Sequence, residues 1–270
     1  MLGKQIRLER VMDRNTRKTL QVPLVHGVGM GPIEGIKDIL NTVDTVALGG
    51  ANAVILHKGI VAAAHRGAGT DIGLIIHLTA TTNQGRQVLV TSVEEAVRMG
   101  ADAVSVRIEI DGPDEAEMLA LLGGVAEEAE QWGMPLLALM HPQPRKESAK
   151  QLAALARAAR IGGEMGADVV RVPYHKKFEE VAGACPVPVI AIGGATKAAP
   201  KALLEMARGT IKAGGCGLSV GRAIFQYDKP GNMIKALSMV VHNNAEVKEA
   251  LEVLKKRPIE SSMFGGSVIW

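Results

Sequence analysis

Short runs of aliphatic and β-branched residues alternate along this chain with longer stretches rich in Ala, Leu and Glu. The short runs have strand length, and several are apolar throughout, as strands buried on both faces are. They predict strands at Thr19–Leu24, Ala53–Leu56, Leu74–His77, Ala103–Ile108, Leu136–Met140, Val169–Val172, Val189–Ile192 and Gly217–Val220. The stretches between them carry helical apolar spacing. Ser92–Met99 opens with a serine three residues ahead of Glu95, a capping-box pattern, and stops at Gly100. Glu115–Trp132 and Ala149–Glu164 end at glycines, and Ala199–Ala213 runs from Pro200 to Gly214-Gly215. Strands and helices in alternation read as βα units around a parallel sheet.

One phrase recurs where helix passes into strand: Gly49-Gly50-Ala51-Asn52-Ala53, Gly100-Ala101-Asp102-Ala103 and Gly166-Ala167-Asp168-Val169, with a looser copy at Ala213-Gly214-Gly215-Cys216-Gly217. The glycine turns the chain, and the small residues after it permit close approach to the end of the sheet. Eight such units predict an α/β fold, a single (β/α)8 TIM barrel over residues 1–260. An open doubly wound sheet is the alternative, but no strand-linked G-x-G-x-x-G accompanies it. Ser261–Trp270 is apolar and Gly-rich, and we expect it to dock on the barrel or at a subunit interface.

Composition narrows the partners. The 270 residues are 47% hydrophobic, and a net charge of +3 spread along the chain gives no basic patch for nucleic acid. At 3% aromatic residues, a base-stacking surface is not expected either. No apolar run reaches the roughly 18 residues of a membrane span, and no signal-peptide core follows the charged N-terminus, so the cytoplasm is the expected location. Cys185 and Cys216 read as reduced, buried thiols.

Barrel enzymes place their chemistry at the C-terminal ends of the strands. Here those ends carry His26, His57, His77, Arg107, His141, Arg171, Gly193-Gly194 and Gly221-Arg222, rich in imidazole and guanidinium and nearly without carboxylate. The glycines after the seventh and eighth strands fall where barrels often bind phosphate. Gly193, Gly194 and Gly221 would offer backbone amides, Arg222 a bidentate contact and Lys197 a second cation. The plain alternative is that these glycines only make tight turns. The four imidazoles are a conceivable metal set. No carboxylate is clearly placed beside them and HxH or HExxH spacing is absent, so neither metal nor cofactor is expected.

These residues, with His26-Gly27-Val28, Gly31-Pro32-Ile33, Leu56-His57-Lys58-Gly59-Ile60-Val61, Gly73-Leu74-Ile75-Ile76-His77-Leu78 and Val220-Gly221-Arg222-Ala223-Ile224-Phe225-Gln226, resemble the archaeal-type class I aldolases. That family includes the 2-amino-3,7-dideoxy-D-threo-hept-6-ulosonate synthases and the archaeal fructose-1,6-bisphosphate aldolases. The likeness runs nearly end to end. It implies a (β/α)8 barrel, a phosphorylated sugar-type ligand and a ring-like homo-oligomer, a pentamer or decamer.

The family's catalytic residues do not carry over. Its first strand ends in Asp-His-Gly, where this chain has Val25-His26-Gly27. Its fifth ends in Tyr-Pro-Arg-Gly, where this chain has His141-Pro142-Gln143-Pro144. Its sixth carries the Schiff-base lysine, where this chain has Val170-Arg171-Val172-Pro173-Tyr174. A guanidinium stays protonated and cannot become the neutral amine that attacks a ketone. Two functions follow as expectations. One is an enzyme acting on a phosphorylated keto-sugar without an imine, with His141 as general acid or base, Arg171 holding a carbonyl, enolate or carboxylate oxygen, and His26 and Tyr174 as further polar contacts. The other is a non-catalytic phosphosugar-binding or assembly homologue. A nucleophile moved to Lys176 or Lys177, which would restore the imine, is a separate alternative to both; Lys58 is shared with the family and is no new compensation.

Overall fold

A computed structural model of the chain describes residues 1–64, 72–82, 85–144, 146–193 and 199–259. In chain order its elements are α1 (Leu2–Val11), β1 (Thr19–Pro23), α2 (Gly27–Met30), α3 (Ile39–Gly49), β2 (Ala53–Leu56), α4 (Lys58–Ala64), β3 (Gly73–His77), β4 (Thr79–Thr81), β5 (Gln87–Leu89), α5 (Val93–Arg98), β6 (Ala103–Ile110) and α6 (Glu115–Gln131). There follow β7 (Leu136–Pro142), α7 (Ser148–Glu164), β8 (Val169–Pro173), α8 (Phe178–Ala184), β9 (Val189–Ile192), α9 (Pro200–Lys212), β10 (Gly217–Ser219), α10 (Arg222–Phe225), α11 (Pro230–Asn243) and α12 (Val247–Leu254).

Eight of the strands pair in parallel and close on themselves in the order β1-β10-β9-β8-β7-β6-β3-β2. This is a single (β/α)8 barrel, and every predicted strand is present. The departures are at the ends: β6 and β7 each run two residues further than their apolar runs indicate. They climb together through a seven-residue register that ends with Glu109 opposite His141 and Ile110 opposite Pro142. Two strands are new, the antiparallel pair β4 and β5 inserted as a hairpin after β3. Each is three residues long, too short to leave a periodic signal. The apolar tail lies outside the described residues.

The core has two compartments because each strand is apolar on both faces. Ala53, Ile55, Ile75, Ala103, Leu137, Val169 and Ile190 fill the lumen, and Val11 and Met12 at the end of α1 plug it from below. Residues of opposite parity, such as Val54, Leu74, Val104 and Val170, pack outward under the helices.

The recurring phrase builds the floor. Gly50, Gly100 and Gly166 have φ values of +95°, +79° and +94°, which a side chain would strain. The residue two places on accepts a backbone N–H from a neighbouring strand. Asn52 takes it from Leu20 at 2.7 Å, Asp102 from Leu74 at 2.9 Å and Asp168 from Leu136 at 2.8 Å. The second oxygen of each carboxylate meets a cation from α1: Arg10 lies 2.5 Å from Asp102 and Lys4 lies 3.1 Å from Asp168. The cysteines are free and only half-buried, less enclosed than expected, and burial pushes both thiols above their ordinary pKa.

Candidate active site

At the opposite end, the strand termini surround a cavity of about 390 Å³. Inward parity on β3, β6 and β8 aims His77, Arg107 and Arg171 into it, and the turns after β1, β2 and β10 add His26, His57 and Arg222. Thr79 and Thr81 of the hairpin stand over one side. Among the described residues, every charged side chain lining the cavity is an arginine.

Arg171 is 2% exposed, and its Nε has no hydrogen-bond partner. Burial pushes its pKa down to about 10, which leaves it charged at neutral pH. His77 is buried, with Nδ1 2.8 Å from Ser105 Oγ and Nε2 3.3 Å from Thr79 Oγ1. Burial and then the neighbouring Arg171 hold its pKa well below the usual histidine range. The His57 ring lies tilted by 57° against that of His77, 5.5 Å between centroids, and its pKa is likewise lowered by burial. His26 is brought down to about 4, first by burial and then by Arg222, and its Nδ1 has no partner. Neutral imidazoles thus share the mouth with fixed guanidinium charges.

His26 sits against the turn after β10. A Cβ on Gly221 would lie 2.8 Å from His26 Cε1 and 2.7 Å from the Pro23 carbonyl, so only glycine fits there. Phe225 packs edge-on against the same imidazole at 5.3 Å. The helix behind Gly221, α10, is a single turn, so the anion-favouring terminus expected there is reduced to local amides. Gly193 and Gly221 both line the cavity with Arg222. Gly194 and Lys197 lie outside the described residues.

His141 stands at the rim, beyond the cavity-lining residues, rather than inside. Glu109 lies directly across the strand pair. Its Oε2 accepts from His141 Nδ1 at 3.1 Å, and its Oε1 accepts from Arg107 Nε at 2.6 Å. Burial alone would raise the Glu109 pKa, but His141 and Arg107 together hold it below the usual carboxylate range. An ionised carboxylate can only accept, so the proton of a neutral His141 resides on Nδ1 and Nε2 is the available base. A carboxylate therefore does stand at the mouth, contrary to the sequence reading. The apolar run stops at Ile108 while the strand continues to Ile110, so the sequence pattern does not show it.

Tyr174 is not brought to the site. Strand alternation that turns Arg171 inward turns Tyr174 outward. Its ring stacks on Phe178 at 6.1 Å, and its hydroxyl lies against Gly209 of α9. The other lysines considered are also elsewhere. Lys58 pairs with Glu95 at 3.1 Å, Lys177 pairs with Glu180 at 3.2 Å, and Lys176 is exposed. No lysine lines the cavity among the described residues. Nor, among those residues, do three or more His, Cys, Asp or Glu side chains gather to hold a metal ion. No described helix is long and apolar enough to cross a membrane.

Residues 19–227, which span all eight barrel strands and stop before α11 and α12, match the model of the DeoC/LacD family aldolases. The chain belongs to this aldolase family. It is 38% identical to 2-amino-3,7-dideoxy-D-threo-hept-6-ulosonate synthase 1 of Archaeoglobus fulgidus, over 93% of this chain and 96% of the relative. It is 32% identical to the 2-amino-4,5-dihydroxy-6-oxo-7-(phosphonooxy)heptanoate synthase of Streptomyces griseus, over 90% and 91%. A crystal structure of an archaeal fructose 1,6-bisphosphate aldolase superposes with a TM-score of 0.78 at 26% identity, covering 89% of this chain and 99% of the other. A related aldolase structure has its catalytic lysine covalently bound to the carbinolamine intermediate of the substrate. It matches at TM-score 0.77 and 27% identity, over 88% of this chain and 99% of the other.

Proposed function

We propose that this aldolase-family protein acts on a phosphorylated keto-sugar-type substrate without forming a Schiff base. The observation that carries the reading is Arg171, a buried and permanently charged guanidinium on β8 in a cavity lined by no described lysine. In this reading the phosphate rests on the turns at Gly193 and Gly221 with Arg222. His26 orders the turn beside it. In the cleavage direction, the β-hydroxyl proton passes to Nε2 of His141, and the bond between the α- and β-carbons breaks. The electron pair moves onto the carbonyl oxygen, where Arg171 holds the enolate by fixed charge. A proton then returns to the α-carbon. Glu109 keeps the His141 tautomer needed for this. Substrate movement or closure must bring the reacting carbon to the rim, since His141 lies above the cavity lining.

Val25, an apolar side chain lining the same mouth, favours the second reading, a homologue that binds a phosphosugar without turning it over. Both readings exclude an imine. Borohydride reduction in the presence of dihydroxyacetone phosphate, followed by intact mass, tests that exclusion. The expected result is no adduct. A stable adduct mapped to any lysine overturns it, and turnover of a phosphorylated ketose that is lost in His141→Ala separates enzyme from binding protein.

A further inference from the structure

Arg171 is the most buried charge of the mouth. Burial is the cause of its lowered pKa, and no carboxylate of the described chain acts to offset it. Glu109, the carboxylate beside the cavity, is taken by Arg107 and His141. His77, adjacent to Arg171, has both ring nitrogens near Ser105 and Thr79 and is not a counter-ion. A buried charge is costly to the fold unless it is paired. A counter-ion delivered by the ligand resolves the imbalance.

Two features narrow the chemistry of that ligand. A guanidinium is a planar fork that matches a carboxylate through two parallel hydrogen bonds. Its place in the barrel is also separate from the glycine turns. Arg171 pairs with Ile190 on β9, three residues before Gly193, which sets the two backbone levels about 10 Å apart along the strand. A phosphate on the amides of Gly193 and Gly221 has Arg222 as its cation in that reading, which leaves Arg171 for another anionic group of the same molecule. We propose that Arg171 is a second anion subsite that takes the carboxylate of a phosphorylated 2-oxo acid. The proposal rests on the reading of the glycine turns as a phosphate site and names the substrate class for it. A carboxylate next to the ketone also places the carbonyl oxygen beside the same guanidinium, so one cation serves binding and enolate stabilisation.

Dihydroxyacetone phosphate and phosphohydroxypyruvate share their carbon skeleton, ketone and phosphate, and differ in a hydroxymethyl group against a carboxylate. Hydroxypyruvate keeps the carboxylate and lacks the phosphate. Calorimetric titration of the wild-type chain with all three at neutral pH is the test. The expected result is phosphohydroxypyruvate binding about tenfold or more tighter than dihydroxyacetone phosphate. In Arg171→Met that ratio falls to about one. Equal wild-type affinities, or a preference that survives in Arg171→Met, overturn the carboxylate subsite while leaving the phosphate reading intact. Hydroxypyruvate binding as tightly as phosphohydroxypyruvate, with the Arg171 dependence retained, overturns the phosphate reading and leaves the subsite standing. Failure of every probe to bind the wild type overturns both. The wild-type ratio decides the matter even if the variant folds poorly.

Discussion

The two ends of the barrel use the same residue types to opposite ends. At the floor, the buried Asp102 and the half-buried Asp168 of the recurring phrase take strand amides with one oxygen and cations of α1 with the other. At the mouth, Arg171 is enclosed with no such partner among the described residues, where buried polar atoms of His26 and Arg171 are also unpaired. The floor is electrostatically finished by the chain itself; at the mouth the described residues leave a buried charge unmatched. Stability and binding are thus separated along the barrel axis, as expected when loops at one end carry the chemistry and the other end carries the fold.

Substitutions should split along the same line. The largest effect on folding is expected at the floor. Asp102→Ala strands the Leu74 amide and removes the partner of Arg10, and should destabilise the protein by about 2–4 kcal/mol in urea unfolding. At the rim, His141→Ala should leave stability within about 1 kcal/mol while lowering turnover of a phosphorylated ketose by about a hundredfold or more. Glu109→Gln should lower it less and shift its pH profile. Equal losses of stability at both ends would erase the contrast.

A smaller effect follows from the mouth histidines. The folded pKa of His26 is depressed from 6.5 to about 4, and His57 and His77 are depressed as well. The unfolded chain therefore binds protons that the folded chain refuses, so stability should fall as pH drops from about 6.5 toward 4. His242 at the floor, lowered by burial, adds with the same sign. Thermal melts across that window check this, and His26→Asn should flatten the slope. The smallest effect is expected for Lys58→Ala. Its half-exposed pair with Glu95 should contribute no more than about 1 kcal/mol, and turnover should be unchanged.

Much of this was legible in the sequence, and the failures have local causes. Strands apolar on both faces announced a parallel sheet, and the recurring glycine phrase announced the turns of the floor. The role of Asn52, Asp102 and Asp168 was also signalled by their repetition, though only the geometry shows which amides they hold. Glu109 was missed because a charged residue at the top of a strand breaks the apolar run before the strand itself ends. Tyr174 was misplaced although the alternation contains the answer: with Arg171 facing in, Pro173 faces in and Tyr174 cannot. The short β4–β5 hairpin has too few residues for any period, yet its threonines line the mouth.

The central claim is that Arg171 is a buried cation for which the described residues provide no partner. Urea unfolding of ligand-free Arg171→Met measures this directly. If the claim holds, an apolar side chain of similar length relieves an uncompensated charge, and the variant is more stable than wild type by about 1–4 kcal/mol. A loss of about 3–5 kcal/mol, the usual consequence of breaking a buried ion pair, would contradict it.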